Sequence, residues 1–500
     1  MQSNDERKRK NRMDDINPKY KRIIIVGAGF SGMGCAIKLL EAGHKNITIY
    51  EKNAKVGGTW ETNRYPGLTC DVPAIAYTFS FERSCEFSRH YSPSSEIRNY
   101  CQMVSDKYGL EGYIQFQKEI EEANFVDNQW HLKTTDGIQD VADIVIMATG
   151  VLRNPNYPEI EGLNQFSGDV VHTGLWDEEL DLTGKRVGVI GTGATCTQLV
   201  PAIIDEVASL TLFQRTAQWV APFDGGNPSV SEEQRDYLRK DPEHLSTLAD
   251  GMLKKIELLV DGILVDETGQ TTAAIKGRCD ERLAEIKDPE LRKKLTPSYE
   301  PGCKRLIWSE VFYPAMQKDN AHLETNGIEC IEENGVRLKN GEFSELDVLI
   351  LATGYKMHDY MRPMKIRGEN GTLLDDTWAD GEFAHRGVMI PGYPNMFTVM
   401  GPNSPLTNFS VIEVTEWQIG YFLQLADLVL NGSAQTVMPD PQSTQEFNET
   451  LSEATPNTIW ASGCNSYYLD QNGMPNVWPG TVASYRESMQ TPNLNEYILK

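Results

Sequence analysis

Arg22-Ile-Ile-Ile-Val-Gly27 is a short β-branched run that breaks into Gly27-Ala-Gly29-Phe30-Ser31-Gly32, and this turn constrains the chain more than any other stretch. A run of that kind reads as a strand buried on both faces. Ala36, Ile37 and Leu40 then give a helix its apolar stripe, and Ile47-Thr-Ile-Tyr-Glu51 is a second strand. Together they make a strand–turn–helix–strand unit of about 30 residues, the setting in which such glycines bind a dinucleotide. Gly27 makes the tight turn, Gly29 lets a pyrophosphate approach the backbone, and Gly32 lets helix and strand pack closely. Phe30 and Ser31 open the helix whose N-terminus faces the phosphate charge. Glu51 ends the second strand nineteen positions after Gly32, where its carboxylate can accept both ribose hydroxyls, with Lys52 beside it. With 41 glycines in 500 residues, the glycine pattern alone arises by chance roughly 0.3 times per chain. The weight therefore rests on strand, helix and Glu51 standing in register.

A second unit begins near residue 184. Lys185-Arg-Val-Gly-Val-Ile-Gly191 is its strand, Gly191-Thr192-Gly193-Ala-Thr195-Cys196 its turn, and Gln198 to Val207 its helix. Cys196 stands where the third glycine would, a position that concerns helix packing more than phosphate approach. No acid ends the following strand. Arg215 and Thr216 are there instead, and a cation with a hydroxyl suits a 2′-phosphate, which implies NADP rather than NAD. Two apolar strands ending in Ala-Thr-Gly, at Gly150 and Gly354, bracket this unit, so one nucleotide domain is expected to be inserted into another.

The composition excludes several function classes. The formal net charge of −24 argues against nucleic acid and against anionic membranes as partners. Nine cysteines are too sparse for a disulfide scaffold and contain no C-x-x-C, so no zinc ribbon, metal site or redox dithiol is expected. A reducing, cytoplasmic setting fits. The first twenty residues are charged and lack the apolar core of a signal peptide; Lys8 to Arg12 read as part of a solvated tail. Glycines interrupt the apolar run Ile23 to Leu40, and Glu413, Glu416 and Asp427 interrupt Val411 to Leu430, so neither reads as a membrane span. A monomer or weak homo-oligomer is expected.

Two dinucleotide units without a dithiol point to hydride transfer from a nicotinamide to a flavin. The expected fold is α/β, with two Rossmann-like dinucleotide-binding domains, for FAD and NADP, and a helical insertion. Residues 1–20 are a flexible tail, 21–155 the first part of the FAD domain, and 156–228 the first part of the NADP domain. Residues 229–300 are the helical insertion covering the site, opened by a capping box at Ser231 and Gln234. Residues 301–340 return to the NADP domain, and 341–500 complete the FAD domain.

Phe166-Ser-Gly168-Asp-Val-Val-His172-Thr-Gly-Leu-Trp176-Asp177 matches the F-x-G-x-x-x-H-x-x-x-W-D signature of type I Baeyer–Villiger monooxygenases. Its F, G, H and W spacing arises by chance roughly 0.0004 times in such a composition. A second signature, Gly57-Gly58-Thr59-Trp60 followed by Tyr65-Pro66-Gly67 and Asp71, also resembles the family, and the likeness runs from Lys21 to about Tyr485. The resemblance implies an FAD- and NADPH-dependent enzyme that uses dioxygen to convert a ketone to an ester or lactone. It places Arg305, in Gly302-Cys303-Lys304-Arg305, at the flavin, where it stabilises a negatively charged peroxyflavin. It pairs Asp71 with Arg305, sends Lys304 to the 2′-phosphate, and makes the His172 signature a linker that moves as NADP binds. Gly58, Thr59, Trp60, Tyr65, Thr192, Thr195 and Gln198 complete the cofactor set. It also directs the helix after Ser410, with a capping box at Glu413, toward the flavin. Three rivals stand beside this reading. One is a flavin monooxygenase of nitrogen or sulfur centres, and another a disulfide reductase, which needs a cysteine pair. The third is a non-catalytic NADP-binding sensor.

Overall fold

Ten strands carry the two main sheets: β1 (Ile23–Val26), β2 (Ile47–Glu51), β3 (Ile114–Phe116), β4 (Ile144–Met147), β5 (Asp169–His172), β6 (Arg186–Ile190), β7 (Ser209–Phe213), β8 (Ala321–Glu324), β9 (Val348–Leu351) and β10 (Met396–Thr398). The computed structural model describes residues 21–223 and 225–500, so the Lys8–Arg12 cluster and the rest of the expected tail lie outside the described residues. The first sheet runs β10-β4-β1-β2-β3 and the second β8-β7-β6-β9-β5, with every neighbouring pair parallel.

Successive residues of a strand face opposite sides, and the cores follow that alternation. Ile23, Ile25, Ile47 and Ile49 join one core with helices α1 (Phe30–Glu41) and α4 (Val411–Leu430). Ile24, Val26 and Tyr50 join another, which a smaller four-stranded sheet covers with Ile120, Ala123, Trp130 and Leu132. In the second sheet Val187, Val189, Leu210 and Leu212 face α2 (Ala194–Ile203), while Ile190, Phe213, Leu349 and Leu351 face the other way. α2 starts directly after Gly193, earlier than its apolar pattern suggests, because the glycine is its cap.

The two sheets repeat one construction. Each glycine-turn strand lies between the second strand of its own unit and an Ala-Thr-Gly strand. A Cβ at Gly27 would sit 2.5 Å from the Ala148 carbonyl oxygen, and one at Gly191 would sit 2.3 Å from that of Ala352. Both glycines have positive φ, +107° and +112°, so close approach and backbone conformation both select glycine there. This corrects the expected changeover at residue 341. β9 pairs with β6 and β5 in the second sheet, because each sheet needs its own Ala-Thr-Gly strand beside its turn.

Four helices fill residues 232–295: Glu232–Lys240, α3 (Pro242–Leu264), Gln270–Ala284 and Pro289–Leu295. Ser231 caps the first, with Gln234 N–H donating to its Oγ and its own N–H donating to Gln234 Oε1. α3 adds Leu253 and Val260 to the first core and Ile263 to the second, so it lies against both halves. The capping box expected at Ser410 does not form: the serine makes no cap bond, and Glu413 turns aside to accept from Arg83 Nη2 at 3.4 Å. No described helix is long and apolar enough to cross a membrane.

Candidate active site

Glycine N-caps leave the first-turn N–H groups of α1 and α2 without a side-chain acceptor, which is how a helix start presents itself to an anion. A Cβ at Gly29 would lie 3.4 Å from Gly58 Cα, so the two glycine turns of the first half face each other across a narrow cradle. At Gly193 a Cβ would meet nothing within 4 Å. Both places fit a pyrophosphate lying on bare backbone.

Glu51 is 4% exposed, and its carboxylate holds the turn itself: Oε2 accepts from Ala28 N–H and Oε1 from Asn53 N–H, both at 2.7 Å. One more lone pair on each oxygen stays available for ribose hydroxyls. Partial burial and then the charge of Arg153 lower the pKa of neighbouring Lys52. The Phe30 ring packs against Tyr77 and Phe79, with centroids 5.6 and 5.4 Å away, so only the backbone of this residue remains for a ligand. Ser31 Oγ lies 3.2 Å from Thr415 Oγ1, which brings the start of α4 against the start of α1. There the Ser410 hydroxyl is buried without a partner.

Residues 57–62 stay in the first half, and Tyr65 to Thr69 cross onto α2. The short helix Thr59–Thr62 carries Trp60, whose Nε1 donates to Tyr77 Oη at 3.2 Å. Tyr65 Oη donates to Gln198 Oε1 at 3.0 Å, with Thr195 close to the same hydroxyl, and Gln198 Nε2 donates to the Thr69 carbonyl at 3.0 Å. Gly67, at φ +80°, passes so close that a Cβ would sit 2.4 Å from the Gln198 carbonyl oxygen. Tyr65 and Gln198 thus bind each other and seat this segment, which delivers Asp71 between the halves.

Asp71 and Arg305 form an ion pair at 2.7 Å, with side chains 24% and 26% exposed. Arg305 Nη1 also donates to the Thr407 carbonyl at 2.9 Å. Burial pulls the Arg305 pKa down, but Asp71, Tyr468 and Tyr467 more than offset it and leave it well above its ordinary value. The guanidinium is a permanent cation. Asn408 clamps the next residue like a strand partner, accepting from Leu306 N–H at 3.1 Å and donating to its carbonyl at 2.8 Å. Beside Arg305 opens a small cavity walled by Val260, Ile263 and Leu264 of α3 and by Trp460 and Tyr468.

The second turn gathers the other cations. Thr192 Oγ1 donates to the Thr216 carbonyl at 2.7 Å, fixing the chain just after Arg215. Lys304 is half-buried, 5.1 Å from the Tyr299 ring centroid, and its pKa is lowered by burial and then by the charge of Arg215. Neither Arg215 nor Lys304 makes an ion pair among the described residues. Two like charges held together without an anion fit a phosphate group.

The histidine signature forms the edge strand β5 and the turn that follows. A Cβ at Gly168 would lie 2.2 Å from the Asp347 carbonyl oxygen, and Phe166 is buried in the outer core of the second sheet. His172 is 2% exposed, its Nδ1 accepts from Gly174 N–H at 3.0 Å, and its Nε2 is buried without a partner. Burial lowers its pKa. Trp176 packs on the second core, and Asp177 caps the next turn by accepting from Glu179 N–H at 3.0 Å. Behind Gly174, Tyr355 donates to Asn63 Oδ1 at 2.6 Å and ties the signature's turn to the first half.

Sequence reasoning missed Asn408, Tyr467 and Tyr468, which lie more than a hundred positions from Arg305 and follow no spacing rule. It also missed the cysteine pair. Cys303 and Cys464 form a disulfide across 161 positions with Cα atoms 6.2 Å apart, so the expectation of no dithiol is corrected for this pair. The absence of C-x-x-C said nothing about a pair made by folding.

A family model described as pyridine nucleotide-disulphide oxidoreductase matches residues 24–257. An uncharacterized monooxygenase of Mycobacterium tuberculosis is 41% identical over 480 residues, 96% of each chain. Proteins named Baeyer–Villiger monooxygenase from Streptomyces coelicolor and Pseudomonas aeruginosa are 37% and 36% identical, over 96% of this chain and 92% of theirs. A cyclohexanone monooxygenase from Rhodococcus sp. Phi1, solved bound to NADP+, superposes with a TM-score of 0.86 at 28% identity, over 97% of this chain and 100% of that one.

Proposed function

The chain belongs to the type I Baeyer–Villiger monooxygenases, and from that premise we propose that its site inserts one oxygen atom of dioxygen beside a ketone carbonyl to give an ester or lactone. The observation that carries the proposal is the Asp71–Arg305 pair, held where the segment from the first glycine half meets the second. When bound, FAD supplies hydride acceptance from NADPH and the reduction of dioxygen. Gly27, Gly29, Gly32, Glu51, Lys52 and the Gly58–Trp60 turn hold FAD, and the halves divide after Gly354 rather than at residue 341. Gly191 and Gly193 hold the NADP pyrophosphate, with Arg215, Thr216 and Lys304 at its 2′-phosphate. Arg305 supplies a fixed positive charge where negative charge develops next to the flavin, and Asp71 orients it. Arginine suits this place because burial does not deprotonate it, whereas it already lowers the pKa of Lys304. The enzyme works in the cytoplasm as a monomer or weak homo-oligomer on a small ketone.

The test is Arg305→Ala in the flavin-loaded enzyme. Ester formation from a ketone panel should fall by about 10²–10³, while anaerobic flavin reduction by NADPH stays within about threefold of wild type. A wild-type enzyme that yields only hydrogen peroxide with every ketone would overturn the reading. One that oxygenates thioethers or amines and no ketone would move it to the nitrogen- and sulfur-oxidising class.

A further inference from the structure

We propose that Cys303 and Cys464 are a redox-modification site whose closure pins residues 459–477 onto the turn that carries Lys304 and Arg305. Cys303 directly precedes that cation pair and is completely buried, in a small core with Leu264, Trp460, Tyr468 and Val477. Cys464 sits beyond the short helical turn Ile459–Ser462. The remaining cysteines of the described chain are free and all but Cys330 are buried; burial and then the charges of Glu332 and Glu329 raise the Cys330 pKa, which makes that thiol a poorer nucleophile toward peroxide.

The bridge adds a covalent tie to an irregular segment. From 463 to 477 it contains no regular helix or strand, and several of its backbone hydrogen bonds close on itself: Leu469 N–H to Ser466, Asp470 N–H to Met474 and Asn476 N–H to Tyr468. Yet it places Tyr467 and Tyr468 beside Arg305 and walls the adjoining cavity with Trp460 and Tyr468. The far end of the segment is held by Asn476, which accepts from Tyr360 Oη and donates to the Glu382 carbonyl, and by Asn472, which donates to the Asp380 carbonyl; near Tyr467 the sulfur bridge supplies the covalent tie to the Lys304–Arg305 turn.

The chemistry balances with hydrogen peroxide as oxidant. The Cys464 thiol attacks peroxide, giving a sulfenic acid and one water. The Cys303 thiol then displaces the second water and forms the disulfide, so two electrons leave sulfur and reduce one peroxide. A dithiol reverses the reaction by exchange. Hydrogen peroxide is also what reduced flavin and dioxygen yield when no substrate is oxygenated. The inference needs only the peroxide, so it can be tested even if the proposed ketone chemistry fails.

The flavin-loaded protein is treated with hydrogen peroxide or with dithiothreitol, and thiols are counted after denaturation. Nine thiols should be found in the reduced form and seven in the oxidised form, with a peptide joining Cys303 and Cys464. Chymotryptic cleavage next to Tyr467, which is 43% exposed, should be slower in the oxidised form by at least about tenfold. Dithiothreitol should restore the fast rate, and Cys464→Ser should stay fast under both treatments. Nine thiols after peroxide, or seven thiols with unchanged cleavage, would overturn the proposal, and wild-type protein alone suffices to see either.

Discussion

Replacing Asp71 by asparagine keeps the shape of Arg305's partner and removes its charge. The pair is 2.7 Å apart, a distance at which Coulomb attraction is about 6 kcal/mol for an effective dielectric of about 20. Both side chains are about one quarter exposed, so solvation offsets much of this, leaving the about 1.5–3 kcal/mol typical of a hydrogen bond to a charged group. Asparagine retains an acceptor, so the loss is about 1–2 kcal/mol, equivalent to about 5–30-fold in kcat/KM for the ketone. The assay measures ester by gas chromatography and, separately, anaerobic flavin reduction by NADPH, which should hardly change. In an Arg305→Ala background, Asp71→Asn should alter ester formation by less than about twofold, because the group it orients is gone. Additive losses in the double variant, or equal losses in both half-reactions, would refute the positioning role.

Arg215→Ala should raise the KM for NADPH about tenfold or more and leave that for NADH nearly unchanged; equal effects would remove Arg215 from the 2′-phosphate. Gly67→Ala meets the Gln198 carbonyl at φ +80° and should cost about 2–4 kcal/mol. Gly43→Ala, at φ +91° but in open space, should cost only about 1 kcal/mol; equal shifts in melting temperature would remove the clash from the explanation. Burial first, then neighbouring Glu416, raises the Glu413 pKa to about 7 against Arg83. A carboxyl raised in the folded state costs stability as pH climbs from its unfolded value toward 7, so Glu413→Gln should stabilise by about 1–3 kcal/mol at pH 8 and by little near pH 4.5. A gain independent of pH would show that the charge is not the cause.

What could be read from the sequence was what is local. The glycine turns, the β-branched strands around them and the Ser231–Gln234 box are short-range patterns, and the structure forms each of them. Ser410–Glu413 has the same local form and fails, because the Glu413 side chain faces Arg83 instead of the helix start. Arg305 became visible only through family resemblance, since Lys304-Arg305 alone looks like any exposed basic pair. Its surroundings were hidden for a physical reason. Thr407 and Tyr468 reach it from the far end of the chain, Asn408 holds the neighbouring Leu306, and Asp71 comes from the near end. The placement of β9 was misread because both Ala-Thr-Gly strands look alike; only pairing with β6 separates them.

The duplicated construction makes the ligand difference easier to isolate. Both sheets set a glycine turn against an alanine carbonyl and open a helix at the same place, so the shared backbone can recognise only what two dinucleotides have in common. The proposed site puts discrimination at the end of the following strand, where β2 presents Glu51 and the chain after β7 presents Arg215. The acid is buried and fixed by two backbone donors, as hydroxyl recognition requires. The cation is exposed and joined by Lys304 from another segment, as a bulkier, doubly charged group requires. On the proposed assignment, a chain of net charge −24 accepts an anionic cofactor by a local reversal of sign at Arg215 and Lys304, and the same turn of chain, one residue further on, carries positive charge to Arg305.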